Sequence, residues 1–152
     1  MKSVIVFLAC LACMQLFACD KNNEMKSSSN DNSNSDSMKL KITIGTNTFT
    51  ATFHNNATAT AFKSKLPLSI NMTELNGNEK YFDLPNNLPT NASNPGTIQT
   101  GDVMLYGSNT LVLFYKTFST SYNYSRIGRI DNASGLADAL GSGNKIVKFE
   151  LE

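Results

Sequence analysis

The chain has 152 residues, which is room for one ordinary domain and little else. Its 13 basic and 12 acidic residues nearly balance, and no basic stripe is present, which argues against nucleic acid as a partner. All three cysteines, Cys10, Cys13 and Cys19, stand near the N-terminus, so a disulfide framework and a cysteine nucleophile are excluded for the rest of the chain.

The N-terminal segment has the pattern of a signal peptide over residues 1–18. A short basic start is followed by an apolar run from Val4 to Ala18, about 15 residues long, whereas a membrane span needs roughly 20. The run Leu16-Phe17-Ala18-Cys19 resembles the lipobox of bacterial lipoproteins. This resemblance implies cleavage before Cys19, lipidation there, and a bacterial cell-envelope protein anchored to a membrane, periplasmic or surface-exposed. The alternatives are a buried apolar helix or a plain signal peptide.

Residues 19–38 are interpreted as the lipidated cysteine and a flexible linker. From Ser27 to Ser37 every residue is Ser, Asn or Asp, so the segment has no apolar group whose burial could offset the entropy of ordering. We expect a single domain to occupy residues 39–152.

Hydrophobic alternation predicts a hairpin at the start of this domain. Leu40, Ile42 and Ile44 alternate with polar residues, and a second alternating strand follows the turn at 45–47. Asn55 or Asn56 can cap a helix over 57–66, which Pro67 ends.

The remaining chain predicts more strands and a second helix. The strands are expected at 68–72, 80–84, 103–106, 111–115, 124–130 and around 147–151. A long irregular loop spans 85–95, and Ser134 is expected to cap a short helix that Gly141 closes. About eight short strands and two short helices predict a mainly β fold, a closed antiparallel β-barrel with two capping helices, expected to be monomeric.

Several short runs in the middle of the domain carry a family resemblance. They are Leu84-Pro85, Asn94-Pro95-Gly96, the segment 101–110, Leu113-Phe114-Tyr115, the segment 122–130 and Ser134-Gly135-Leu136. Together with the order hairpin, helix, barrel strands, second helix and final strand, they resemble the bacterial cyclophilin-like family over nearly all of residues 39–152. The resemblance implies the closed barrel.

True cyclophilins isomerise peptidyl-proline bonds with a Phe-His-Arg run on a barrel strand, whose arginine donates hydrogen bonds to the substrate. By order along the chain, this run falls at Phe82-Asp83-Leu84, where only the phenylalanine matches. A leucine cannot donate a hydrogen bond. The resemblance therefore implies the fold without the activity.

Aromatic and arginine side chains between Tyr115 and Arg129 form the main candidate site. Phe118, Tyr122 and Tyr124 lie near Arg126, and aromatic faces with a guanidinium suit a peptide, a sugar or a carboxylate. A second candidate surface joins Tyr81 and Phe82 to the 85–95 loop. The predicted ligand-binding residues are Tyr81, Phe82, Tyr106, Tyr115, Tyr122 and Arg126.

The alternative is that the tyrosines pack the barrel rim while the arginines are solvated or paired with Asp131 or Asp138. Arg126 and Arg129 would point to opposite faces of an ideal strand unless a bulge at Gly128 intervenes.

His54 is the single histidine, so no metal site, cofactor or catalytic residue is predicted. The favoured function is a non-catalytic module that binds a peptide or small ligand. One alternative is a divergent prolyl isomerase of the envelope, in which Arg126 supplies the donor that position 84 lacks, and another is a scaffold or adhesion lipoprotein.

Overall fold

The structure, a computed structural model, describes residues 38–152. The predictions for the signal peptide, for lipidation at Cys19 and for the linker up to residue 37 lie outside the described residues. Within residues 38–152, no helix has the length and apolar character that crossing a membrane requires.

Ten strands and two helices follow one another in the described chain. They are β1 (Leu40–Ile44), β2 (Asn47–Phe53), α1 (Ala57–Lys63), β3 (Leu68–Leu75), β4 (Glu79–Asp83), β5 (Thr97–Ile98), β6 (Asp102–Tyr106), β7 (Thr110–Phe114), β8 (Phe118–Ser119), β9 (Tyr124–Ile130), α2 (Leu136–Leu140) and β10 (Lys145–Leu151).

Eight of these strands close into an antiparallel barrel in the order β1-β10-β3-β4-β7-β6-β9-β2. This confirms the predicted mainly β fold with a closed barrel and two short helices. Strands β5 and β8 form a separate two-stranded sheet, pairing Thr97 with Ser119 and Ile98 with Phe118. That sheet was not predicted, because two-residue strands are too short to show an alternating pattern.

Both helices differ slightly from expectation at their ends. The Asn56 side chain caps α1 by accepting from the amide of Ala59 at 2.8 Å, but the helix ends at Lys63 rather than at residue 66. Proline disfavours helical geometry in the residue before it, so the last turn loosens ahead of Pro67. The prediction that Ser134 caps α2 was wrong. Gly135, with a φ of 79°, precedes that helix and provides no side-chain cap.

The buried side chains form two separate clusters. The larger one fills the barrel and includes buried residues of both helices, among them Phe62 and Leu136. The smaller one lies on the outer face of the barrel and contains Ile98, Met104, Val112, Phe114 and Tyr124. Strands β6 and β7 are therefore buried on both faces, since one face lines the barrel and the other meets the β5–β8 sheet.

Candidate functional site

A pocket of about 590 Å³ opens on the outer face of β4, β6 and β7, beside β8 and the segment that follows it. Because side chains alternate along a strand, Glu79, Tyr81 and Asp83 of β4 line this pocket. Lys80 and Phe82, between them, face the barrel interior instead: Lys80 is fully buried and Phe82 packs against the interior cluster. The aromatic lining residues are Tyr81, Tyr106, Phe118, Tyr122 and Tyr124.

The aromatic rings form a connected group. Tyr106 contacts Tyr122 edge-to-face with centroids 6.0 Å apart and meets Tyr124 at 5.6 Å. Tyr124 in turn packs edge-on against Phe114 at 5.5 Å, which anchors the group to the outer cluster. Tyr124 is buried, whereas Tyr106 and Tyr122 are 45% and 61% exposed. The pocket therefore has a fixed aromatic floor and two accessible rings at its rim.

The pocket is acidic. Glu79 and Asp83 line it, and its described lining residues include no lysine, arginine or histidine. Burial, with the nearby charge of Glu74, raises the pKa of Glu79. Burial and then the charge of Glu79 raise the pKa of the Tyr124 phenol. Asp83 accepts a hydrogen bond from the Thr110 hydroxyl at 2.6 Å.

Three of the six predicted site residues come together here, namely Tyr81, Tyr106 and Tyr122. Phe82 faces the barrel interior, and Tyr115 is buried with its hydroxyl donating to Glu74 at 2.6 Å. Burial and that hydrogen bond raise the pKa of Tyr115 to about 12. The structure thus separates Phe82 and Tyr115 from the pocket.

Arg126 also stands apart from the pocket lining, on the outer face of β9. The pairs Met104–Arg126 and Val103–Gly128 leave Ile127 unopposed, which is a bulge one residue from the expected position. A Cβ at Gly128 would lie 2.9 Å from the Thr52 carbonyl oxygen, so this close approach of β2 requires glycine.

Because of the bulge, Arg126 and Arg129 point to the same face. Arg129 pairs with the buried Asp102, Nε to Oδ1 at 3.6 Å, rather than with Asp131 or Asp138. Near Arg126, the pKa of His54 is lowered by burial first and by the Arg126 charge second. In residues 38–152, no three potential ligands come together as a metal site.

The 85–95 loop packs on the barrel through a few contacts, and none of its residues lines the pocket. Leu88 joins the interior cluster, and the backbone N–H of Asn91 donates to the Ser125 hydroxyl at 2.9 Å. Ser93 forms an isolated antiparallel β-bridge with Tyr124. Leu84, which order along the chain predicts to match the cyclophilin arginine, is 2% exposed in the interior cluster. Position 84 therefore contributes an apolar side chain to the core and no hydrogen-bond donor.

The two carboxylates were absent from the sequence-based site. The signal that could have found them is the spacing of Glu79, Tyr81 and Asp83, which places all three on one face of a strand. Phe118 and Tyr124 belong to the predicted aromatic and arginine site but are not among the six predicted ligand-binding residues.

This fold is a small closed barrel of eight antiparallel strands with an aromatic pocket on its outer face. A family model described as the cyclophilin-like family matches residues 42–151. The chain therefore belongs to the cyclophilin-like family.

One similar solved structure is the solution structure of the hypothetical protein AF2241 from Archaeoglobus fulgidus. It aligns with a TM-score of 0.50 at 20% sequence identity, over 75% of this chain and 94% of that chain. At this identity the likeness shows a shared fold alone. No curated protein sequence matches the chain.

Proposed function

We propose that the domain is a non-catalytic binding module that holds an extended peptide segment or a small ligand in the tyrosine pocket. The observation that carries the proposal is the pair of exposed rings, Tyr106 and Tyr122, above a buried aromatic floor. Tyrosine combines a large apolar face with a polar hydroxyl and is enriched in binding surfaces for that reason. The volume of about 590 Å³ is within the range of roughly 300–1,000 Å³ typical of small-ligand sites.

The chemistry of the pocket favours binding over isomerisation. An isomerase of the cyclophilin type needs a donor aimed at the prolyl nitrogen, and the residue at position 84 is a buried leucine. The described residues that line the pocket supply hydroxyls and carboxylates but no arginine.

A divergent prolyl isomerase is the second candidate. It is favoured by the regular pairing of Tyr106 with Tyr124 and of Met104 with Arg126, which puts Arg126 on the same outer face as Tyr124. The two residues are two positions apart, roughly 7 Å along a strand. A substrate that extended beyond the pocket could therefore meet this guanidinium.

Binding is tested by titrating the purified protein with a panel of short unstructured peptides, followed by NMR chemical shifts. We expect saturable shifts at the pocket tyrosines, and a loss of affinity of about tenfold in Tyr122→Ala. Ile146→Ala is the matched control, because Ile146 is 64% exposed on β10, outside the pocket. Absence of saturable binding, or an equal loss in the control, would contradict the proposal.

A prolyl cis/trans isomerisation assay distinguishes the two candidates. We expect no acceleration over the uncatalysed rate with varied proline peptides. Acceleration that disappears in Arg126→Ala would instead support the isomerase.

We also propose that this domain is tethered to a bacterial membrane through lipidated Cys19. The lipobox-like run before that residue supports the anchor, and the Ser/Asn/Asp-rich stretch from Ser27 to Ser37 supports a spacer. Expression of the full chain should give a membrane-bound, acylated form by mass spectrometry. The Cys19→Ser variant should be found in the soluble fraction, and an unchanged distribution would reject the anchor.

A further inference from the structure

The outer pocket has an unneutralised negative charge. In the part of the chain that the structure describes, the ion pairs involve other carboxylates, and neither Glu79 nor Asp83 lies within 4.0 Å of a lysine or arginine nitrogen. Lys80, the neighbour of Glu79, faces the interior, where Glu74 and the carbonyl oxygens of Gly141 and Gly143 engage its ammonium group. It therefore does not neutralise the pocket.

The raised pKa of Glu79 is consistent with this lack of compensation. Burial and the Glu74 charge both disfavour its ionised form, and no cation counteracts them strongly enough to bring the pKa down. A ligand that brings a positive charge next to Glu79 would relieve this penalty.

The aromatic lining favours the same kind of ligand. The face of a tyrosine ring attracts an ammonium or guanidinium group within about 6 Å, and the aliphatic stem of such a side chain packs against neighbouring rings. Tyr81 stands between the two carboxylates on β4, with Tyr106 and Tyr122 exposed nearby. A neutral or acidic ligand would use the rings but not the carboxylates.

Building on the proposed function, we infer that the pocket binds an extended peptide segment through lysine or arginine side chains that reach Glu79 and Asp83. The carboxylates stand on residues four positions apart in a strand, about 13 Å between Cα atoms. Two basic residues four positions apart in an extended peptide have the same spacing, so each could meet one carboxylate while the intervening residues cover Tyr81.

The test uses three capped pentapeptides with three alanines between two end residues, which are lysine, norleucine or glutamate. Norleucine keeps the apolar stem of lysine and removes the charge. We expect the lysine peptide to bind about tenfold more tightly than the norleucine peptide, with the glutamate peptide weakest. The affinity for the lysine peptide should fall at high salt because dissolved ions screen accessible charges.

Three variants locate the effect. Glu79→Gln and Asp83→Asn should each weaken binding of the lysine peptide about fivefold, a larger loss than either causes for the norleucine peptide. Asp138→Asn is the matched control, because Asp138 is an exposed carboxylate on α2, outside the pocket. Unfolding curves of each variant confirm that the barrel is intact.

Each outcome has a distinct meaning. Equal affinity for the lysine and norleucine peptides, unaffected by the variants, would overturn the charge inference and leave the proposed binding function in place. Binding of n-butylammonium as tightly as the lysine peptide would overturn the peptide as occupant. Failure of all three peptides, together with the wider panel, would overturn peptide binding by the pocket, which is the part of the proposed function on which this inference rests.

Discussion

Lys80 is fully buried inside the barrel. Its replacement by methionine tests how much its contacts with Glu74 and with the segment after α2 stabilise the fold. The side chain is 0% exposed, and its ammonium donates to the carbonyl oxygens of Gly141 at 2.8 Å and Gly143 at 2.6 Å and pairs with Glu74. The three donors of the group thus have three acceptors. Methionine has a similar length, so the substitution removes the charge and donors while keeping most of the volume.

The expected cost follows from what the substitution leaves behind. Removal of one partner of a buried ion pair costs about 3–5 kcal/mol, and a buried carbonyl without a donor costs about 1–3 kcal/mol. The Glu74 side chain is 23% exposed, so water can solvate part of its released charge. We therefore expect Lys80→Met to lower the free energy of unfolding by about 3–5 kcal/mol, a large share of the roughly 5–15 kcal/mol of an ordinary domain.

Urea denaturation followed by circular dichroism measures this cost. Lys148→Met is the matched control, since Lys148 is 49% exposed on β10 and forms a surface ion pair with Glu150 at 2.9 Å. Its replacement should cost less than about 1 kcal/mol. The reasoning is refuted if Lys80→Met costs no more than the control. Adding Glu74→Gln to Lys80→Met should recover part of the loss, because the uncompensated carboxylate is then gone.

Two further predictions concern the bulge and the pH dependence of stability. Gly128→Ala should destabilise the protein by about 1–3 kcal/mol by urea denaturation, because the new Cβ meets the Thr52 carbonyl oxygen at 2.9 Å. An unchanged midpoint would show that β2 shifts freely there. Because the pKa of Glu79 is raised from 4.5, its ionised form destabilises the fold, so the contribution of Glu79 to stability should rise as the pH falls through that raised value, against a loss from His54, whose pKa is lowered from 6.5.

Below pH 4.5 the trend should reverse. Burial pushes the pKa of Glu74 upward, but hydrogen bonds from Lys80, Tyr115 and the Gly77 amide, together with the Lys80 charge, bring the pKa below 4.5. The Thr52 hydrogen bond and then Lys39 hold the pKa of Asp131 below 3.8. The stabilisation from these two groups is lost as they protonate. Glu79→Gln should abolish the rise in stability on lowering the pH towards 4.5 and keep the loss of stability below it. A rise that persists in this variant would show that another group is responsible.

The barrel strands were predictable because the pattern of apolar residues in each strand shows whether one or both of its faces are buried. The alternation of Leu40, Ile42 and Ile44 matches the fully inward residues of β1, and the continuous apolar run of β6 matches burial on both faces. Strands β5 and β8 escaped prediction because each depends on a partner some twenty residues away. Lys80 has the same strand phase as the inward-facing Phe82, but a charged residue is rarely buried. Its burial is explained by Glu74 and by the Gly141 and Gly143 carbonyls, which meet it through long-range contacts.

The candidate site was only partly predictable for a related reason. The aromatic residues of the sequence correctly indicated Tyr81, Tyr106 and Tyr122 as pocket residues. The side of the sheet that each residue faces, however, depends on the phase of its strand, which shifts if the strand begins one residue earlier or later. Tyr115 directly follows Phe114, which faces outward, and so turns inward to Glu74. Arg126 is close to the tyrosines in sequence, whereas β4 comes beside β7 through long-range pairing that the sequence does not reveal. That pairing gives the pocket carboxylates in place of the expected guanidinium.

Amino-acid substitutions should be tolerated differently in the buried clusters on the two faces of β7 and at the exposed rim of the pocket. Val112 and Phe114 form the floor of the outer cluster on β7, whose other side chains, Leu111 and Leu113, fill the barrel. A large-to-small substitution in that floor would loosen a strand on which both clusters depend. Tyr106 and Tyr122 are exposed at the rim and support little of the core, so they can vary at small cost in stability. The exposed rim of this barrel can therefore vary in sequence while the buried outer cluster and the barrel interior remain fixed.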